Sequence, residues 1–273
     1  MPHKTLYKLY NTKSGRALLK ILTAPFVSDA AGRFLDTRKS IALIPLFIKT
    51  SGLDMTEVKP SDWQSFNDFF TRRLIDGARE ICTENDAFIS PCDADLTVYP
   101  IEDGRVIPVK GVQYTVADLV RSKTLAAEYD GGLCMVFRLS TKHYHRYSYP
   151  ETGRKSRYID IKGVLHTVQP VATESTDVYV QNSRSYCKLF TESFGSLIFM
   201  QVGAMLVGRI CNNDPGAAQV VRGGEAGRFE YGGSTVIVLS KAGRIRINDD
   251  IKKASAENKE YPVRLGMKIG TKG

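Results

Sequence analysis

No run of the 273-residue chain approaches the ~18 consecutive apolar residues needed to cross a bilayer. The longest candidate, IALIPLFI at 41–48, is short and interrupted by Pro45. The N-terminus lacks the apolar core and cleavage site of a secretory signal. Cysteines number five, an odd count with no CxxC pair, which excludes a paired disulfide framework or a structural zinc knuckle and suits a reducing compartment. Four histidines (His3, His143, His145, His166) are too few and too scattered for a His-rich metal centre, so no metal is expected. No GxGxxG or Walker loop supports nucleotide binding. No RNA-binding, zinc-finger or basic-zipper signature accompanies the net charge of +9, so nucleic acid is not the expected partner of that charge. An anionic membrane surface or an acidic substrate remains. The first 28 residues contain no acid at all but five bases, Lys4, Lys8, Lys13, Arg16 and Lys20.

What is present is ordinary for a globular chain, with 42% hydrophobic and 25% charged residues. Leu18, Ile21 and Leu22 recur at helical spacing and Pro25 ends the pattern. Such a basic amphipathic helix either lies on anionic lipid or packs on its own domain. Further helices are expected after Ser28 and over 39–49. KPSDWQSFNDFFTRRL at 59–74 reads as another, with Ser61 or Asp62 as N-cap and an apolar stripe of Trp63, Phe66, Phe69, Phe70 and Leu74. Arg72 and Arg73 at its end are open to lipid contact or to plain surface charge. From about residue 88 the texture changes to short β-like runs: LTVYP, CMVFRLS, YIDIKGVL, DVYVQNS, SLIFMQVG, AMLVGRI, TVIVL and GRIRIN, separated by Gly, Pro, Asn and Asp. The expected fold class is α+β and mainly β. A helical, membrane-associating region over 1–85 precedes a β-rich catalytic body over 86–273, built as two packed sheets or a distorted barrel.

FEYGGSTVIVLS at 229–240 sets a Gly-Gly hinge against a continuous β-branched and apolar run, which reads as a strand buried on both faces. Taken alone, Gly232-Gly233 is turn punctuation. The chemical alternative is self-cleavage. A Ser234 hydroxyl beside a flexible glycine carbonyl attacks it when the peptide is bent and a base is near. Three stretches supply candidate partners: SPCDADL places Asp93 at a strand start, HYHRYSYP places His145 just after a strand, and GVLHTVQP places His166 at a strand end. Each also has a plainer reading, Asp93 as a turn residue and the histidines as hydrogen-bonded packing residues.

These stretches, in this order and together with FNDFFTRRL, QVGAMLVGRI and RLGMKIG, resemble the phosphatidylserine decarboxylases. The resemblance covers most of the chain from about residue 59 onward. It implies a proenzyme cut between Gly233 and Ser234 into 1–233 and 234–273, which remain together as a heterodimer. Residue 234 becomes a pyruvoyl group, the electron sink that lets phosphatidylserine lose CO₂ and yield phosphatidylethanolamine without a diffusible cofactor. It implies catalytic roles for Ser234, Asp93 and His145. Three positions depart from the family pattern: Ala94 replaces a glycine, His143 replaces an aspartate, and Ser148 stands where many members carry a second, relay histidine. Either His145 serves both steps or His166 reaches the site from a neighbouring strand. The resemblance further implies a peripheral protein on the cytoplasmic face of a membrane, with a homodimer left open. Two alternatives stand beside this reading: a pyruvoyl-dependent decarboxylase of a soluble amino acid, and a lipid-binding relative that is never processed.

Overall fold

The continuous apolar run at 235–239 becomes the centre of the molecule. In the computed structural model, which describes residues 3–106, 113–173, 177–204, 209–232 and 234–273, every residue of the Ser234–Ser240 strand is buried. It lies between the Gly195–Val202 strand on one side and the Leu133–Leu139 strand on the other, antiparallel to both. Arg184–Thr191 and Ala94–Glu102 extend the ribbon outward within an eleven-stranded open sheet. Two three-stranded sheets accompany it, and none of the three closes into a barrel.

Strand side chains alternate between faces, and the central strands are apolar on both. One face presents Phe137, Leu139, Phe199, Val236 and Val238 to a core shared with the small sheets and the Asp249–Ala256 helix. The other presents Val136, Ile198, Met200, Ile237 and Leu239 to a second core beneath the short helices Val116–Val120 and Lys123–Ala127. Burial on both sides explains why the sequence shows continuous hydrophobic runs here instead of alternation.

The N-terminal residues form the helices His3–Asn11, Lys13–Leu22, Pro25–Leu35 and Ile44–Ser51. Pro25 opens the third of them, where its missing N–H costs nothing. The first two helices share a cluster with Val168, Ala172, Val178 and Ala204. Ile44 and Phe47 join Leu35, Phe66, Phe69, Phe70, Trp63 and Tyr231 in an aromatic cluster.

Two elements differ from their sequence patterns. Within 59–74 only Phe66–Phe70 is helical, capped by Ser65, whose side chain accepts from the Asp68 N–H. The flanks are extended and pair with each other, Lys59 N–H donating to the Arg73 carbonyl and Ile75 N–H to that of Glu57. The aromatic spacing that suggested a long helix serves a single turn packed against Phe47 and Tyr231. The β-branched stretch at 178–181 is also one helical turn instead of a strand. The Arg184 guanidinium, anchored on the carbonyls of Leu119 and Asp118 (both 2.7 Å), also takes those of Val180 (2.5 Å) and Asn182 (2.9 Å), so a tertiary anchor overrides β propensity there. Most of AMLVGRI lies outside the described residues; Ile210–Asn212 is a strand.

Candidate active site

Ser234 is the first residue of its strand, paired with Leu139 and fully buried. Gly232, two residues before it, has φ of 136°, a conformation closed to most side chains, so the hinge needs glycine at that position. Gly233 lies outside the described residues. The hinge is tied to the helical region: Tyr231 N–H donates to Asn67 Oδ1, and Asn67 Nδ2 donates to Asp36. Tyr231 also packs edge-on against Phe66 and Phe70.

The Leu133–Leu139 strand, opposite Ser234, leads through a short loop to His145, just before the Arg146–Ser148 strand. His145 is fully buried, its ring 4.2 Å from that of Phe70. Its Nδ1 lies 2.9 Å from the His143 carbonyl, which only accepts, so Nδ1 carries the proton and Nε2 keeps a lone pair. Nε2 has no partner among the described residues, and neither does Ser234 Oγ. A buried polar atom left unpaired costs about 1–3 kcal/mol, and here a hydroxyl and an imidazole nitrogen unpaired among the described residues lie at one hinge.

Burial pushes the His145 pKa down to about 3, opposed by the His143 carbonyl and assisted by the Arg72 guanidinium; the Gly232 carbonyl also faces the ring and opposes the fall. The ring is therefore a neutral base across the physiological range. Arg72 is the residue that the sequence left between lipid contact and surface charge. It is buried, donating to the carbonyls of Phe70 (3.2 Å), Lys142 (3.5 Å) and His143 (3.3 Å). One carbonyl, that of His143, thus receives both Arg72 and His145, so Arg72 braces the acceptor that sets the imidazole tautomer. Arg73, by contrast, is largely exposed beside Glu225.

A pH dependence follows. Between about pH 6.5 and 3 the unfolded chain protonates His145 and the folded protein does not, so stability falls as pH drops through that window and is insensitive to this group above it. In a ring-proton NMR titration His145 should stay neutral down to about pH 3, and Arg72→Gln should move its midpoint upward by removing a nearby positive charge. An unchanged midpoint in that variant would remove Arg72 from the electrostatics of the site.

The other two sequence candidates occupy different surroundings. Asp93 is gripped by Arg79 through Nε–Oδ1 (2.8 Å) and Nη2–Oδ2 (2.5 Å) and accepts from the Leu265 N–H. It bonds to neither His143 nor His145. Beside it, Lys59, Arg73, Arg79, Tyr144, Arg146 and Ser148 line a cleft of about 360 Å³. Ser148 Oγ donates to the Pro91 carbonyl. His166 has both ring nitrogens engaged, Nδ1 with Tyr10 Oη (3.2 Å) and Nε2 with Gln181 Oε1 (3.1 Å). Only its backbone approaches the hinge strands, through Asn182 Nδ2, which donates to the carbonyls of His166 and Gly203. The structure thus brings Ser234 and His145 to one hinge, leaves Asp93 without a hydrogen bond to either histidine of the loop although its charge reaches Arg72 and His143, and holds the His166 ring on Tyr10 and Gln181. The carboxylate nearest a histidine of this loop is Asp95, with Oδ1 3.9 Å from His143 Nε2. Among the described residues no cluster of His, Cys, Asp and Glu has the arrangement of a metal site.

Against this geometry, a family model described as phosphatidylserine decarboxylase matches residues 66–271. The chain belongs to the phosphatidylserine decarboxylase family. Its similar relatives include phosphatidylserine decarboxylase proenzyme 2 of Clostridium acetobutylicum, 38% identical over 96% of this chain and 90% of that protein. A phosphatidylserine decarboxylase proenzyme of Clostridium botulinum is 36% identical over 98% of this chain and 93% of that protein. One from Clostridium novyi is 34% identical over 97% and 91%. The family match begins at Phe66, so it includes the aromatic turn that closes on Tyr231 and His145. Burial of Arg72 beside the histidine loop is not evident from the sequence. The signal available was the place of Arg72 two residues after Phe70, at the end of a core aromatic turn, from which its guanidinium reaches the carbonyls of Lys142 and His143.

Proposed function

We propose that the chain is a self-cleaving proenzyme that converts phosphatidylserine to phosphatidylethanolamine and CO₂. The observation that carries this is the free Ser234 hydroxyl at the head of a buried strand, behind a positive-φ glycine and near a histidine with a free Nε2 lone pair. His145 accepts the hydroxyl proton as Ser234 attacks the preceding carbonyl, and the cut frees residues 1–233 from 234–273. The surroundings fit a pyruvoyl group at position 234: the residue is dry, and its strand neighbours are held in register by Leu139 and Val202. Such a group supplies an electron-withdrawing carbonyl that makes loss of CO₂ from an amino acid head group feasible. In that step His145 is the residue placed to hold or return a proton at Nε2. Intact mass under denaturing conditions and CO₂ release from phosphatidylserine test the reading. Full-length mass after prolonged incubation of folded protein overturns it.

The lipid partner is supported by the surface. Tyr7, Leu18, Ile21, Phe26, Phe34 and Leu46 are all about half exposed or more, and all lie on the N-terminal helices. Lys8 and Lys20 are exposed among them. No described helix is long and apolar enough to cross a membrane. We infer peripheral binding at the cytoplasmic face of an anionic membrane, where each base near the surface contributes roughly 1 kcal/mol and the apolar side chains add affinity that salt does not screen. Leu18→Asp combined with Ile21→Asp should lower co-sedimentation with anionic vesicles about tenfold and leave self-cleavage intact. Unchanged vesicle binding would place the lipid contact elsewhere. Point changes are preferable to deleting 1–28, because that deletion also removes Leu9, Tyr10 and Leu19 from a core cluster.

A further inference from the structure

Gln201 is a fully buried amide for which neither Oε1 nor Nε2 finds a partner among the described residues. It sits on the Gly195–Val202 strand, flanked by Ser185 on one neighbouring strand and Val236 on the other. Its polar neighbours are satisfied without it. Ser185 Oγ accepts from Asn212 Nδ2 (3.2 Å), and Asn212 Oδ1 accepts from Tyr147 Oη (3.0 Å). A Leu or Met would fill this position at no polar cost, so an amide idle among the described residues in a buried core is free to meet a ligand.

The register shows where that ligand sits. Gln201 pairs with Val236, and side chains two residues apart on a strand share a face, so Ser234 is the diagonal same-face neighbour of Gln201. In an antiparallel sheet such diagonal positions lie about 7–8 Å apart, within reach of a long side chain. Phe199, Val236 and Leu139 share this face, and the small sheet carrying Tyr147 and Phe229 covers it. His145 immediately precedes a strand of that sheet, and its carbonyl accepts from the Phe229 N–H. A substrate joined at residue 234 on this face therefore meets Gln201 from the sheet and His145 from the cover.

We propose that Gln201 is a substrate-contacting residue whose amide N–H donates to the carboxylate of the phosphatidylserine head group beside residue 234. The proposal rests on the reading above. A neutral amide suits this role because it orients a carboxylate without the counter-charge of an Arg or Lys, which would hold the charged form back from leaving as CO₂. The amide acts on recognition of the carboxylate, and phosphatidylethanolamine, which lacks that group, does not engage it.

The test uses Gln201→Met, which keeps length and removes both polar atoms, and Gln201→Asn, which keeps the amide but withdraws it. Intact mass first establishes cleavage. The cleaved proteins are then reduced with borohydride to stop turnover, and dissociation constants are measured for short-chain phosphatidylserine and phosphatidylethanolamine in detergent. The expected result is at least a tenfold loss of phosphatidylserine affinity in Gln201→Met, a smaller loss in Gln201→Asn, and unchanged phosphatidylethanolamine affinity in both. A wild-type ratio of the two affinities in Gln201→Met overturns the proposal. So does a folded Gln201→Met that remains uncut, which would place the amide in self-cleavage. If Gln201→Met does not fold, an unchanged ratio in Gln201→Asn is decisive against it. Failure of the underlying function shows in the wild type, as no cut or no CO₂; failure of this inference shows in the variants alone.

Discussion

Ser234→Ala should leave a single full-length chain however long the folded protein is incubated. The substitution deletes one oxygen from a fully buried side chain that has no hydrogen-bond partner among the described residues, so no bond is broken by it. Stability should hold or rise slightly, since an unpaired buried hydroxyl costs about 1–3 kcal/mol. Cleavage, by contrast, should stop completely, because no other nucleophile takes its place: Thr235 points to the opposite face of the strand. Denaturing mass spectrometry and a melting curve on the same sample separate the two effects. Any 1–233 fragment from Ser234→Ala would assign the scission to another group.

The second large effect is expected at His145. Its Nε2 is the only imidazole nitrogen among the described residues that is both fully buried and without a partner. His145→Ala should abolish CO₂ release, a loss of at least 10²-fold for a general acid or base, even in whatever fraction becomes cleaved. The mass of the variant decides whether the same histidine also serves self-cleavage. His166→Ala provides the contrast. Its ring bonds to Tyr10 and Gln181, so the change should loosen the contact with the first helix and leave the mass pattern as in wild type. Slow or absent cleavage in a folded His166→Ala would instead give that residue a share in the first step.

How far these sites could be read from residues alone depends on the range of the forces involved. The strand at 235–239 was legible because burial on both faces requires an unbroken apolar run, a local signal. The Gly-Gly hinge was legible for a similar reason, since a backbone at positive φ selects glycine directly. The turn at 66–70 was misjudged in length: its aromatic rings answer to Phe47 and Tyr231, which are remote in sequence. The stretch at 178–181 has a strand pattern but is helical, because the Arg184 guanidinium that holds its carbonyls is itself anchored on Asp118 and Leu119, remote in sequence. Arg72 and Gln201 were hidden for the same reason. A charged residue at a segment end and a lone Gln before VGA look like surface chemistry until the fold encloses them. Asp93 was visible as a strand-start acid, but its grip by Arg79 depends on a segment that carries no regular secondary structure.

The position of the Ser234–Ser240 strand also dictates an order of events. The piece that begins at Ser234 contributes the middle strand of the main sheet, and its last strand, Lys268–Lys272, pairs with Ala87–Ile89 of the other piece. On the proposed scission the two products would be interleaved, so neither would leave without dismantling both cores. Folding must precede scission, and each molecule makes its cut once. Two genes encoding 1–233 and 234–273 separately should not reconstitute the mature protein, because the new end at residue 234 arises only from a peptide bond already held in the finished sheet.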